Sequence, residues 1–415
     1  MAMNLVKIIE RLRTNNEDFK QLILTADEAF STDASGDHLD LSIEDGTRAT
    51  SKTIKGLIDA LQDNTTVRSV FLDYFFVTEL PPQEVVLLFE AIGSLPKLEQ
   101  FSALSRKVEG WSIPVRAASS IVGQAKSLSS LRLTSVGIVG TEEEFNNFTN
   151  AVSSNPSLKE FRLRGACVVD GKMPLDELLR ALSTAPVLEK IELTAMDLHQ
   201  DLNGEWPTSP SSALRFCYSR SLKSLDLGGW VLDEDLVLKM AKALETNDSL
   251  RSLIMLESHI TNKGCIAIAD MLKKNKTIER LDLSYNRISD LGCTALANTL
   301  RHNTTLKEIG LFGNFQVRSR DAFLRFLQHE NFVLEDLLLD SEWDAEMNFY
   351  LNLNRLGRRH LLQNEDLARK EWTNTLAAIQ EDSKSSSSST AHQDALSSLY
   401  YFILAKPHFV VHGTP

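Results

Sequence analysis

Residues 278–290 read IERLDLSYNRISD, and the spacing Leu-x-x-Leu-x-Leu-x-x-Asn returns at Leu306–Asn314, with Ile278 and Leu306 set 28 apart. A fixed period of this length constrains a fold more than any composition does. Each period is one supersecondary unit that cannot bury its apolar face alone, so neighbours must stack around a shared core.

The apolar triplet can be followed in both directions. It reads Leu222, Leu225, Leu227; Leu250, Leu253, Met255; Ile278, Leu281, Leu283; Leu306, Ile309, Leu311; and Leu334, Leu337, Leu339, each following the last at the same step. Leu188, Ile191, Leu193 precedes this run by 34, with the surplus in NGEWPTSPSS, a loop. Earlier come Leu158, Phe161, Leu163; Leu128, Leu131, Leu133; Leu98, Phe101, Ala103; and Val67, Val70, Leu72, at steps of 30 or 31. Phe19, Leu22, Leu24 extends the series across an irregular acidic segment, which makes eleven repeats in all.

Each triplet alternates apolar with polar residues over a short run and reads as a strand. Each is followed by a stretch such as NKGCIAIADMLKKN or DLGCTALANTLRHN, whose apolar residues recur at three and four, the pattern of a helix with one buried face. The Asn after the triplet is read as structural: Asn286 and Asn314 can satisfy backbone groups left open where the strand turns away.

The pattern Leu-x-x-Leu-x-Leu-x-x-Asn-x-Leu with one helix per repeat resembles the leucine-rich repeat, in its ribonuclease-inhibitor-like form. The resemblance implies an α/β solenoid, a horseshoe or arc with parallel strands on its concave face and helices outside. Outside the repeats, Leu5, Ile8, Ile9 and Leu12 are at helical spacing and read as a capping helix within residues 1–18. The solenoid is assigned to 19–340, and MNFYLNLNRLGRRHLL falls in a closing cap at 341–380. EDSKSSSSST reads as a flexible linker within 381–391, open to phosphorylation, and 392–415 as a helix and tail around Leu396, Leu399, Tyr400 and Ile403.

Signals for chemistry are absent. The sequence contains no GxxxxGK[ST] loop, GxGxxG turn, HExxH pair or GxSxG elbow, so no catalytic residue, cofactor or metal is expected. Cys167, Cys217, Cys265 and Cys293 are too scattered for a disulfide framework, and Cys265 and Cys293, again one repeat step apart, read as one core position in successive repeats. Five Asn-x-Ser/Thr sequons, at Asn64, Asn147, Asn247, Asn275 and Asn303, are explained by the repetition rather than by glycosylation. The formal net charge of -12 disfavours nucleic acid and anionic membranes and makes a basic protein the easier partner. With no secretory leader or long uncharged apolar stretch in the sequence, the expected setting is a soluble cytoplasmic monomer.

In leucine-rich repeats the residues between triplet members line the concave sheet, where partners are commonly held. Here those places and the turns after them offer Asp226 and Trp230; Ile254, Leu256 and Glu257; Asp282 and Tyr285; Phe312; and Leu338, apolar groups within an acidic rim that includes Glu308, Asp336 and Asp340. Phe71, Tyr74 and Phe75 form a weaker patch, and Arg132, Arg162, Arg164 and Lys190 a basic interval. The expected function is a non-enzymatic scaffold for protein partners. Regulation of a small GTPase, by resemblance to Ran GTPase-activating proteins, and ligand sensing of the kind found in immune-receptor repeats are the alternatives.

Overall fold

A computed structural model describes residues 2–3, 5–15, 17, 20–24, 40–43, 49–77, 80–105, 111–164, 167–169, 174–194, 211–314, 320–339 and 345–355. Phe19, Asp340, most of the NGEWPTSPSS insert, the cap beyond residue 355, the serine-rich linker and the tail lie outside them, as do the side chains of Tyr74, Phe75 and Cys167. The chain divides into two compact units, Met1–Leu236 and Val237–Pro415.

The first unit holds strands β1 (Ala2–Met3), β2 (Gln21–Leu24), β3 (Asp40–Ile43), β4 (Ser69–Asp73), β5 (Gln100–Leu104), β6 (Trp111–Pro114), β7 (Ser130–Thr134), β8 (Val136–Gly140), β9 (Glu160–Arg164), β10 (Cys167–Val169), β11 (Lys190–Thr194) and β12 (Ser224–Asp226). Its main sheet runs β1-β3-β2-β4-β5-β7-β9-β11-β12, every determined pairing parallel. The register keeps triplet members side by side, as in Leu131 with Phe161 and Phe161 with Ile191. Helices Ser51–Gln62, Pro82–Gly93, Val115–Gln124, Glu142–Ser154 and Leu175–Thr184 connect these strands.

Where the triplet carries Phe instead of Leu, a helix aromatic meets it: Phe89 packs edge-on to Phe101 with ring centres 5.2 Å apart, and Phe148 lies 6.4 Å from Phe161. Such pairs are the geometry that aromatic quadrupoles favour. Leu5, Ile8 and Leu12 are the buried face of helix Leu5–Arg13.

Three features depart from a plain strand-helix reading. The acidic segment before Val67 contributes strand β3, which lies on the far side of β2 from β4. Three successive repeats add β6, β8 and β10, a second, parallel three-stranded sheet. The repeat that carries the insert has a 3-10 helix, Ser211–Tyr218, in place of an α-helix.

The second unit holds β13 (Ser252–Ile254), β14 (Arg280–Asp282), β15 (Glu308–Gly310) and β16 (Asp336–Leu338) in sequential parallel order. Helices Asn262–Lys274, Asp290–Leu300, Arg320–His329 and Ala345–Arg355 follow them. The triplets are buried except at the edge strand β16, where Leu337 and Leu339 are half-buried. Cys265 and Cys293 are both buried and free. Burial pushes the Cys265 thiol up and the Cys293 thiol to about 12, which suits inert core groups.

Two asparagine ladders pin the repeats. Asn286 Oδ1 accepts from the N–H of Ser258 (3.0 Å) and of Ile260 (2.8 Å), while its amide donates to the carbonyls of Met255 and Leu283. Asn314 repeats this one step on, donating to Leu283 and Leu311. A second ladder stands three residues before the strand triplet in six of the repeats, at Asn64, Asn155, Asn247, Asn275, Asn303 and Asn331. Asn303 Oδ1 caps the N–H groups of Thr305 and Leu306, and its Nδ2 donates to Leu272 O at 2.9 Å. Asn275, Asn331, Asn155 and Asn64 make the equivalent reach. Four of the five sequons are thus buried structural amides, since Asn64, Asn247, Asn275 and Asn303 are all inaccessible.

Candidate partner-binding faces

Side chains between triplet members point away from the helices, because successive strand residues face opposite sides of a sheet. In the second unit this outer face carries Ile254, Asp282, Gly310 and Leu338 across one register row, and Ser252, Arg280, Glu308 and Asp336 across the next. The turns then bring Tyr285 and Phe312 over the same edge. Their rings meet edge to face with centres 5.3 Å apart, and the N–H of Tyr285 donates to the carbonyl of Phe312 at 2.6 Å. Leu338 joins beside them, its carbonyl accepting from the N–H of Leu311 at 2.9 Å.

Tyr285, Phe312 and Leu338 keep 52%, 41% and 53% of their surfaces exposed. Ile254 and Leu256 are half-buried beside them in the repeat order. Carboxylates stand around the group: Asp282 accepts from the N–H of Ser284, Asp336 is 3.8 Å from Arg355, and Glu308 is 3.4 Å from Arg280.

The backbone under Tyr285 is itself unusual. The seventh residue after the first triplet position is left-handed in four successive repeats: Gly229 (φ 81), Glu257 (φ 52), Tyr285 (φ 54) and Gly313 (φ 70). Glycine adopts this region freely, whereas a side chain there costs about 1–2 kcal/mol. A Cβ on Gly313 would collide with the Tyr285 ring, so that glycine makes room for the aromatic pair.

Trp230 does not belong to this surface, although the sequence pattern placed it there. It is 5% exposed, and its Nε1–H donates to Leu193 O at 2.8 Å. The reason is positional: Trp230 occupies the place that Asn286 and Asn314 hold in later repeats, and that place points inward. Asp226 remains on the outer face of β12, half-buried, its Oδ1 accepting from the N–H of Gly228 at 2.9 Å. Glu257 is likewise half-buried. Of the second patch, Phe71 is half-buried on the outer face of β4, and the side chains of Tyr74 and Phe75 lie outside the described residues.

The basic interval of the first unit is laced with carboxylates. Glu160 binds Arg132 at 2.7 Å, Lys190 at 3.3 Å and Ser130 Oγ at 3.0 Å, while Glu192 binds Arg162 at 2.8 Å and also Arg164. Burial works against the charge of Glu160, yet Arg132 and Lys190 outweigh it and hold its carboxyl below the usual range. Among the described residues no group of three His, Cys, Asp or Glu could hold a metal ion, and no helix is long and apolar enough to cross a membrane.

A parallel ladder of triplet strands, each followed by a turn and a helix, with an Asn after the strand that clamps neighbouring repeats, decides the architecture. The fold is a leucine-rich-repeat solenoid. The Leucine Rich repeat family model matches residues 274–297, the span from Lys274 into helix Asp290–Leu300. A comparison with curated proteins finds no match.

Among solved structures, leucine-rich repeats of this chain are similar to the actin-binding site 2 of leiomodin-1 (22% identity, 38% of this chain and 95% of that one, TM-score 0.33). They are also similar to a tropomodulin C-terminal domain from Caenorhabditis elegans (13%, 36% and 95%, TM-score 0.32). An internalin from Listeria monocytogenes covers more (14%, 80% and 84%, TM-score 0.42). None reaches a TM-score at which topology can be compared in detail, and the fold assignment rests on the strand ladder and the repeat spacing.

Proposed function

We propose that this leucine-rich-repeat protein is a non-enzymatic scaffold that seats a protein partner on the outer sheet face of its second unit, with Tyr285, Phe312 and Leu338 as anchors. The observation that carries the reading is Tyr285, an aromatic side chain half in water on a left-handed backbone, where glycine would relieve the strain. Strain kept at an exposed residue points to a use for its side chain. Exposed aromatics are also the usual anchors of interfaces, desolvated when the partner arrives.

Glu257, Asp282, Glu308 and Asp336 give the rim an acidic character that favours a partner presenting Lys or Arg around an apolar centre. The even strand-helix step from Leu222 to Leu339 supports the ribonuclease-inhibitor-like form of the repeat. Three buried cysteines that form no disulfide, Cys217, Cys265 and Cys293, suit a reducing cytoplasmic setting. Because the anchors stand on strands and short turns, binding is expected to proceed with little change of shape.

The test is affinity purification from native cell extract with mass spectrometry, comparing the wild type with a Tyr285→Ser, Phe312→Ser double variant. A protein captured by the first and lost with the second supports this face. The same proteins captured by both would remove it.

A further inference from the structure

The outer face of β7, β9 and β11 has a different chemistry from the aromatic face and goes beyond the function proposed above. Its register rows are Ser130, Glu160, Lys190; Arg132, Arg162, Glu192; and Thr134, Arg164, Thr194. Two like charges, Arg132 and Arg162, stand directly beside each other, a pairing that destabilises a sheet unless something compensates it.

Glu160 and Glu192 provide part of that compensation from underneath. The Glu192 side chain is only 5% exposed and that of Glu160 14%, while those of Arg132, Arg164 and Lys190 are 44%, 45% and 41% exposed. Solvent therefore meets guanidinium and ammonium groups, with the carboxylates below them. Four cations over Glu160 and Glu192 leave a surplus of two positive charges, or of one when Asp226, in register with Glu192, is counted, in a chain whose overall charge is -12. On the β12 side Asp226 borders the group with one oxygen already taken by Gly228 N–H. At the strand starts the pairs Lys223–Glu189 and Arg68–Glu99 are neutral. The Nε of Arg132 and of Arg162 are buried without a hydrogen-bond partner. Glu160 Oε1 is in the same state within the cluster, so these buried atoms belong to its interior, and it is the exposed parts of Arg132, Arg164 and Lys190 that an incoming acceptor would meet.

We propose that this face binds an acidic, extended segment of a partner protein, whose carboxylates bridge Arg132, Arg162, Arg164 and Lys190. Three strands and five residues give an area of about 10 by 13 Å, the footprint of a short strand of peptide. Arg forks hold carboxylates in a planar, paired geometry that suits such a ligand. Nucleic acid fits less well: none of the nine outward residues on these strands is aromatic, so bases have no stacking platform.

The probe is a fluorescein-labelled decapeptide of alternating Asp and Ser, followed by anisotropy at about 50 mM salt, where partly exposed charges act strongly. An Asn-Ser decapeptide and a ten-nucleotide oligouridylate are the comparisons. Saturable binding of the Asp-Ser peptide is expected, at least tenfold weaker for Arg132→Gln, Arg164→Gln and for Thr134→Glu. The last variant adds a competing carboxylate beside Arg164 without breaking any ion pair, so it decides the matter if the double variant fails to fold. Tyr285→Ser, Phe312→Ser should leave this binding unchanged, which separates the two faces. No binding, equal binding of the Asn-Ser peptide, insensitivity to both basic-face variants, or tighter binding of the oligouridylate would each overturn the proposal.

Discussion

Trp230 and Leu193 are joined by an indole N–H to carbonyl hydrogen bond of 2.8 Å that fills the role of an asparagine. In the second unit, Asn286 and Asn314 donate from the same repeat position to the carbonyls of Met255 and Leu283, the third triplet members of their preceding repeats. Leu193 is the corresponding member before Trp230. An indole thus substitutes for an amide, and its large ring is itself buried.

That substitution can be dissected. Trp230→Phe keeps much of the ring volume but removes the donor, so Leu193 O is left unsatisfied at a cost of about 1–3 kcal/mol. Trp230→Ala adds the loss of packing and should cost about 3–5 kcal/mol. Urea unfolding of the two variants separates these contributions. Equal stability of Trp230→Phe and wild type would mean that the hydrogen bond contributes nothing net.

The second asparagine ladder makes a similar claim on stability. Asn303 accepts from Thr305 and Leu306 and donates to Leu272, all from a buried side chain. Asn303→Ala strands two N–H groups and a carbonyl, and a loss of about 3 kcal/mol or more is expected from groups of this kind. Asn303→Asp retains the acceptor but loses the donor and buries a charge, so thermal unfolding should show it to be no better than Ala. The exposed Asn147 serves as a control whose replacement by Ala leaves the midpoint within a degree or so, since surface changes cost little.

The repeat period made the strands and helices legible, because a buried face that returns at a fixed step is a pattern in one dimension. The small sheet of β6, β8 and β10 was not legible, since its short strands follow directly on others and share no period with the triplets. Nor was the strand β3, which lies in an irregular acidic run off the repeat period and inserts between β1 and β2. At the proposed face, the outward direction of Asp282 and Leu338 follows from strand alternation, whereas Tyr285 and Phe312 lie in the turns beyond the strands, where alternation no longer tells which way a side chain points. Trp230 was misplaced because tryptophan is not the residue type that marks the inward turn position; counting on from Leu222 to Trp230, as from Ile278 to Asn286, would have found it. The pairing of the basic interval with Glu160 and Glu192 required the register between strands, which one sequence does not display.

Left-handed backbone at Glu257 and Tyr285 separates stability from function. Glu257→Gly keeps the backbone bond from Glu257 N–H to Ser284 O and removes the Cβ strain, so a gain of about 1 kcal/mol is expected in urea unfolding. Tyr285→Gly relieves the same strain but forfeits the edge contact with Phe312, so stability should change by less while partner capture is lost. Gly313→Ala acts in the opposite sense: its methyl presses on the Tyr285 ring at a φ of 70, destabilising the turn and displacing the anchor. If Glu257→Gly proves destabilising, the left-handed turn is not strained and the argument for Tyr285 weakens with it.

Glu160 gives the first unit a dependence on acid. Its carboxyl is half-buried, and burial alone would raise its pKa, but Arg132, Lys190 and Ser130 reverse the shift and hold it below the value of an unfolded glutamate. A group with a depressed folded pKa contributes stability that is present above its unfolded pKa, near 4.3, and lost as pH falls through the folded one. Thermal unfolding monitored between about pH 7 and pH 3 should therefore show little change at first and a decline below about pH 4.3 as protons compete with Arg132. Glu160→Gln keeps an acceptor for Ser130 but cannot neutralise the two cations, so it should be less stable at neutral pH and should flatten the acid limb. A variant whose acid limb is as steep as that of the wild type would assign the proton uptake to other carboxylates and leave Glu160 a passive neighbour of Arg132.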